Sequence, residues 1–476
     1  MDKDFILSRG LLTLLDTEQR WFTFAEMEKE LMVSDKTIRK LVEELSQQLP
    51  SAMAIEVSRG RGMILHRDRR STTIQEVIAQ LFKQTSYYRL MHLLFTQGGR
   101  IRAEEIAESM FMSTSSFKKF IVQLNNQVLK PFHLRITYAT PAFKGHEIHI
   151  RYFLWKIFCE AYAYTGWPFA NTDFDTLNHF ITEIEAENRI VYFLNSKRNL
   201  AFLIAIVIER IRQRHPVHIE EEQYEWTESL FHRPLIELAK KLEHTYQISL
   251  PKDEIFFLTS LFSLSQYNNQ GSVNSAARTH SRQEELMISM RNQLFPLLMQ
   301  SFPTLHMDER FIQEMGEFFE KLIIDNAIPE LMDVSQNHLT TYVQQSCQHV
   351  YDEVQRCMAQ WNHYFSLIHL NEFHLTKLTL LVSSSLRYKS KNAFLIIGEE
   401  FSVRHYVANL IKKEIGDQLT IHTTIMEGLT DDIVKQRQID FIISTFPLSI
   451  KSVPTVIIAT IPTRRDLDNI RQELLM

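Results

Sequence analysis

Three cysteines, Cys159, Cys347 and Cys357, are too few and too scattered for a disulfide framework or a thiolate zinc site. Such sparse thiols fit a reducing compartment. Glycine and proline are also scarce, with 12 and 13 in 476 residues. Both weaken helix interiors, so their scarcity implies long helices with few structured loops. Apolar runs are short: Leu200 to Ile208 falls far below the ~20 residues that span a bilayer. The opening Met1-Asp2-Lys3-Asp4 is charged and lacks the apolar core of a signal peptide. A cytoplasmic location is therefore expected. Catalytic signatures are missing as well. The chain has no HExxH, no GxSxG, no phosphate-binding glycine loop and no clustered Cys/His set. Neither an enzyme nor a cofactor or metal is expected.

Hydrophobic residues make up 45% of the chain and charged residues 23%, an ordinary globular composition with material for several cores. The net charge of −5 is unevenly spread. Residues 1–150 hold 21 Lys and Arg against 17 Asp and Glu, a net +4. The remaining 326 residues hold 31 against 40, a net −9. A basic head on an acidic body places any polyanion contact in the head.

The head reads as helix, helix, turn, helix, hairpin. Phe5 to Leu15 is apolar at helical spacing. Thr23 with Glu26 forms an N-terminal capping signal for a second helix running to about Met32. Val33 and Ser34 make a tight turn, and Ser34 caps a third helix from Asp35. Ile38, Leu41, Val42 and Leu45 form its apolar stripe, while Lys36, Thr37, Arg39 and Lys40 lie opposite. Ile55 to Leu65 reads as two strands joined by a Gly/Arg turn: a wing carrying Arg59 and Arg61.

The pattern returns 79 residues later. Leu11, Leu12 and Leu15 become Leu90, Met91 and Leu94; Met27 becomes Ile106; Ile38, Leu41, Val42 and Leu45 become Phe117, Phe120, Ile121 and Leu124. The second recognition helix exposes Thr114, Ser115, Ser116, Lys118 and Lys119, and a second hairpin is expected from about Leu134 to Ile150. Recognition helices present their N-terminal side chains to base edges and phosphates in the major groove. Lys and Arg neutralise phosphates, and Ser, Thr and helix N-termini donate hydrogen bonds to them. With no Asn or Gln early in either helix, DNA shape is expected to supply much of the sequence preference. The plainer alternative, helical hairpins with solvated basic faces, does not account for the wings and the repeat together.

Ser34-Asp35-Lys36-Thr37-Ile38-Arg39-Lys40 resembles the segment opening the Mga/AtxA type of virulence regulators, to which MafR also belongs. Length and order of parts agree over the whole chain. The resemblance implies a mainly α multidomain protein. Two winged helix-turn-helix units occupy 1–70 and 71–153. Two helical-bundle domains like phosphotransferase-regulation domains (PRDs) occupy 154–270 and 280–389, and a small α/β domain like the EIIB component of the sugar phosphotransferase system occupies 390–476. It implies a DNA-binding transcriptional regulator with double-stranded DNA as ligand. It further implies tuning by histidine phosphorylation from phosphocarrier proteins and a homodimer joined through the C-terminal domain.

The residues of the body agree with this layout. Residues 155 to 388 read as nearly all helix, with a polar linker from Asn268 to Ala277. Asp253 to Tyr267 and Asn371 to Arg387 are matching terminal helices 118 residues apart, and Ile208 to Pro216 resembles Leu322 to Pro329. By resemblance the phosphorylation candidates are His215 and His218 in the first half and His374 in the second. Arg210, Arg212 and Arg214 stand ready to receive a phosphate. Antiterminator-type PRDs place a His seven residues before an Arg; here that position before Arg210 is Leu203. In the tail, short apolar strands alternate with helices, which predicts a parallel sheet. The loop Gly398-Glu399-Glu400-Phe401-Ser402 carries no cysteine where an EIIB enzyme has one, so a docking or dimerisation role is expected. Two other readings compete: a helical phosphocarrier or signalling enzyme that merely carries DNA-binding ancestry, and a low-specificity architectural DNA binder without phospho-regulation. The acidic body argues against the architectural reading.

Overall fold

The computed structural model describes residues 3–68, 70–162, 166–219, 231–269, 282–327, 338–386, 390–423 and 429–475. Contacts divide the chain into two compact units. One comprises 1–293, 314–345 and 359–376, the other 294–313, 346–358 and 377–476. Most described residues are helical, and among them no helix is long and apolar enough to cross a membrane.

The first unit begins with α1 (Lys3–Thr17), α2 (Phe24–Leu31), α3 (Asp35–Ser46), β1 (Met53–Ser58) and β2 (Gly62–Arg67). The capping box of α2 forms as read: the Thr23 hydroxyl accepts from the Glu26 N–H, and Glu26 accepts from the Thr23 N–H at 2.7 Å. β1 and β2 pair antiparallel from Met53↔Arg67 to Ser58↔Gly62. Phe22 adds a separate antiparallel bridge to β2, exchanging both backbone bonds with Met63 at 2.8 and 2.9 Å. Leu11, Leu12, Leu15, Met27, Ile38 and Met63 close the core at 0–2% exposure.

The second module follows with α4 (Ile74–Gln84), α5 (Ser86–Gln97), α6 (Ala103–Ser109), α7 (Thr114–Leu124), β3 (Arg135–Ile136) and β4 (Phe143–Lys144). Its core uses Leu90, Met91, Leu94, Ile106, Phe117, Ile121 and Leu124, the partners that the 79-residue offset names. The second wing is shorter than expected. Gly145, at φ 145°, ends β4, and residues 147–150 already belong to α8 (Glu147–Ala161). Ile148, Phe153, Leu154, Ile157, Phe158 and Ala161 are all buried on α8, so helical burial wins over continued pairing. The Asn125 amide compensates for the short ladder, donating to Ile136 O and accepting from Ile136 N–H.

α8 runs across the boundary expected at 153/154, so the second module and the helical body share one helix. The body continues with α9 (Phe174–Asn188), β5 (Ile190–Tyr192), α10 (Leu194–Arg212), α11 (His232–Tyr246), α12 (Lys252–Leu264) and β6 (Tyr267–Asn269). α10 is buried from Leu200 to Ile208, which explains its near-continuous apolar sequence. The helix expected to reach Tyr267 stops at Leu264, and the first linker residues are not free. Tyr267, Asn268 and Asn269 form β6 and pair antiparallel with β5. The remainder of the expected linker lies outside the described residues. Next come α13 (Arg282–Ser301), α14 (Glu309–Ala327), α15 (His338–Ser346), α16 (Gln348–Asn362) and α17 (Glu372–Ser385).

The second unit contains the tail: β7 (Lys391–Ile396), α18 (Phe401–Ile415), β8 (Leu419–His422), α19 (Asp431–Gln436), β9 (Phe441–Ser444), β10 (Thr455–Ile457) and α20 (Arg464–Leu475). The strands lie parallel in the order β10-β9-β7-β8. Val407 and Ile411 of α18 share a core with Leu467 and Ile470 of α20, while Val434 of α19 packs in a separate cluster with Phe394 and Ile442. The sheet is thus covered on both faces, as parallel sheets require.

Candidate nucleic-acid interface

Each module presents its third helix through the same cap. Ser34 accepts from the Thr37 N–H and Ser113 from the Ser116 N–H, at equivalent positions of the repeat. The turn before each cap has its left-handed residue at the same place, Met32 at φ 52° and Phe111 at φ 57°. The two helices therefore leave their turns with matching geometry.

Their first turns differ in charge. On α3, Asp35 holds Arg39 at 2.9 Å, and Glu28 accepts from the Asp35 N–H. Lys40 pairs with Glu44 at 3.4 Å. Lys36 carries no ion pair among the described residues, so the basic look of this segment is partly neutralised by its own carboxylates. On α7, Thr114 replaces Asp35, Ala107 replaces Glu28, and no acidic residue lies in the first turn. Thr114, Ser115, Ser116, Lys118 and Lys119 are all exposed there. The positive end of this helix dipole is left uncompensated. Exposed ion pairs like those on α3 contribute little to stability and yield readily to a competing phosphate.

Aromatic side chains brace several cations. The Arg39 guanidinium lies 3.9 Å from the centre of the Phe24 ring, and Arg61 of the wing lies 4.3 Å from that of Trp21. Lys118 lies 5.7 Å from the Tyr138 ring, whose hydroxyl donates to Thr114 O. Composition and periodicity did not reveal these shelves, because Trp21, Phe24 and Tyr138 come from turns and helix starts rather than from the recognition helices. Arg59 stands exposed at the wing tip.

The body holds a buried charge network that sequence reading missed. Arg151 of α8 has 0% exposure and grips Glu254 of α12 through two bonds of 2.6 and 2.8 Å. It also donates to Glu147 and to His215 O. Arg210 of α10 grips the same Glu147 at 2.7 and 2.8 Å. Gln213 donates to Phe95 O of α5 at 2.6 Å, and Val217 N–H donates to Glu254. The network therefore joins the second helix-turn-helix module to the helical body. No local spacing flags it, since Arg151 and Glu254 are 103 residues apart.

The candidate histidines occupy different settings. His215 is exposed at the edge of this network. Desolvation, then the Arg210 charge, lowers its pKa below the usual imidazole value, with Lys144 and Arg151 acting in the same direction. His218 is exposed, 3.9 Å from Asp253. His374 is 3% exposed at the start of α17. Its Nδ1 accepts from the Asn371 N–H, so its Nε2 carries the proton and donates to Asp325 at 3.0 Å. The expected phosphate receivers need revision: Arg210 is committed to Glu147, and Arg212 donates to Asn171 O and Tyr246 O. Arg214 is exposed at φ 64°. In the tail, Glu400 precedes α18 without a side-chain cap bond, and Arg404 donates to Glu399 O.

Comparison with known proteins agrees with this arrangement. Residues 3–61 match the M protein trans-acting positive regulator (MGA) helix-turn-helix domain, 70–158 the Mga helix-turn-helix domain, and 178–265 the PRD domain. The chain is 27% identical to the capsule synthesis positive regulator AcpA of Bacillus anthracis, with 98% of each chain covered. It is 26% identical to AcpB of that organism, over 100% of this chain and 99% of the relative. Identity to its anthrax toxin expression trans-acting positive regulator is 22%, over 99% of this chain and 98% of the relative. Two Mga-type helix-turn-helix domains followed by a PRD, within relatives matched end to end, support a PRD-containing regulator of the Mga/AtxA type.

Proposed function

We propose that this regulator binds duplex DNA through both N-terminal modules, using Ser34, Lys36, Thr37, Arg39, Lys40, Arg59 and Arg61 in the first. In the second it uses Thr114, Ser115, Ser116, Lys118 and Lys119. The observation that carries this reading is the repeated presentation of an exposed cationic and hydroxyl-bearing helix from equivalent serine caps. Phosphate contacts fix the protein on the duplex, and DNA shape supplies much of the preference. Charge reversal of Lys36 together with Arg39 in the full chain should lower affinity across sequences and flatten its salt dependence. Unchanged affinity and salt slope in a gel-shift titration would refute a role for α3. Footprinting on genomic fragments should give discrete protected sites; uniform coating would instead favour an architectural binder.

The domain plan proposed is two modules (1–70 and 71–153), two PRD-like domains (154–270 and 280–389) and an EIIB-like tail (390–476). Support for the tail is its parallel order β10-β9-β7-β8, a doubly wound arrangement. Exposed Phe401 and Tyr406 on α18 support a homodimer contact there, at 77% and 57% exposure. Regulation proceeds by phosphoryl transfer from phosphocarrier proteins to an imidazole nitrogen of His215, His218 or His374. His215 and His218 are the accessible acceptors, whereas His374 must first release Asp325. A phosphoryl group on His215 would place about two negative charges beside the ion pairs that join body and head. Incubation with phosphorylated carrier proteins, followed by mass spectrometry, should find label on one of these histidines; no labelled histidine would end the proposal.

A further inference from the structure

Seven non-glycine residues have a positive φ among the described residues: Met32, Phe111, His133, Arg189, Arg214, Gln247 and Gln438. Five are polar, as expected where a helix end points its side chain into water. The two apolar ones, Met32 and Phe111, occupy the same place in the two helix-turn-helix turns. They are 87% and 92% exposed. Each lies two residues before the serine that caps a recognition helix. Their neighbours Leu31, Val33 and Met112 are partly buried and Met110 is buried, so only the middle residue of each apolar trio projects. A left-handed backbone strains an apolar L-residue, a cost that glycine would avoid. The fold gains nothing evident from either side chain.

We propose that Met32 and Phe111 are apolar prongs that close on thymine methyl groups at the rim of the major groove. The inference rests on the DNA-binding reading above. Their location gives the occupant: the N-terminal end of a recognition helix meets base edges, and Lys36, Lys118 and Lys119 on the same helix ends complement phosphate. The thymine C5-methyl is the apolar feature that a groove presents, and apolar side chains contact it. The prongs would supply base readout that the recognition helices otherwise lack.

The test uses the full-length protein with an A·T-rich duplex and the same duplex carrying uracil in place of thymine. The Met32→Gln/Phe111→Gln variant serves as comparison, because glutamine already occupies this backbone conformation at Gln247 and Gln438. Wild type should lose about fourfold in affinity for each methyl removed from a closed contact. The variant should bind the thymine duplex several-fold more weakly than wild type, ignore the uracil exchange, and keep the wild-type salt slope. Equal affinity of variant and wild type, or an equal loss on both proteins with uracil, would overturn the proposal. Met32→Gly and Phe111→Gly should melt no lower than wild type; a lower Tm would mean that the side chains serve the fold instead. If wild type holds no duplex at all, the DNA-binding reading itself fails first.

Discussion

Gly62 has a φ of 98°, and a Cβ there would lie 1.9 Å from Phe22 O. That carbonyl is the acceptor for Met63 N–H, so the added atom would break the bridge that ties the wing to the helices. Gly62→Ala should cost about 3 kcal/mol or more, combining strain at positive φ with a lost backbone pair, read as a drop in denaturant midpoint. His215 makes a pH prediction. Its folded pKa lies below 6.5, the ordinary value of a solvated imidazole such as the unfolded chain exposes. The unfolded chain then binds more protons in that range, so stability falls as pH drops through about 6.5. His215→Gln should flatten this dependence between mildly acidic and neutral pH; an unchanged melting profile would remove His215 as its source. Arg151 and Glu254 are both fully buried, so Glu254→Ala leaves an uncompensated charge and should cost about 3–5 kcal/mol in chemical denaturation.

At the scale of elements, α3 and α7 are alike in position and unlike in charge. Asp35→Asn would free Arg39 and remove a negative charge from the first turn of α3. Affinity for duplex DNA at low salt should rise several-fold, an effect that added salt erases; unchanged affinity would mean that α3 stands away from the phosphates. Much of this level was legible beforehand. The caps at Thr23, Ser34 and Ser113 are local signals, and the 79-residue register carried the core pairs of one module onto the other. The strands of the tail were readable because burial on both faces leaves continuous apolar runs. What escaped was non-local. The β5·β6 pairing joins residues over 70 positions apart in short, mixed-polarity strands. The Arg151–Glu254 grip has no spacing rule, and the basic appearance of Lys36-Thr37-Ile38-Arg39-Lys40 hid the carboxylates that fold back onto it.

For the molecule as a whole, removal of residues 390–476 deletes the parallel sheet with its exposed α18 aromatics. On the proposed tail contact, light scattering should show dimers of the full chain and monomers of the truncated one; a persisting dimer would move the main interface elsewhere. α8 carries a further consequence. Its 15 residues form a rod of about 22 Å that packs against α4 and α5 of the second module and α10 of the body. Rigid rods convert rotation into displacement: a tilt of about ten degrees at one end sweeps the other by about 4 Å. Two reading heads mounted in tandem, one of them on such a lever, would change their span along a duplex whenever the lever turned. A ligand-driven shift in preferred spacer length, rather than simple attachment or release, is the form of control that this construction makes available.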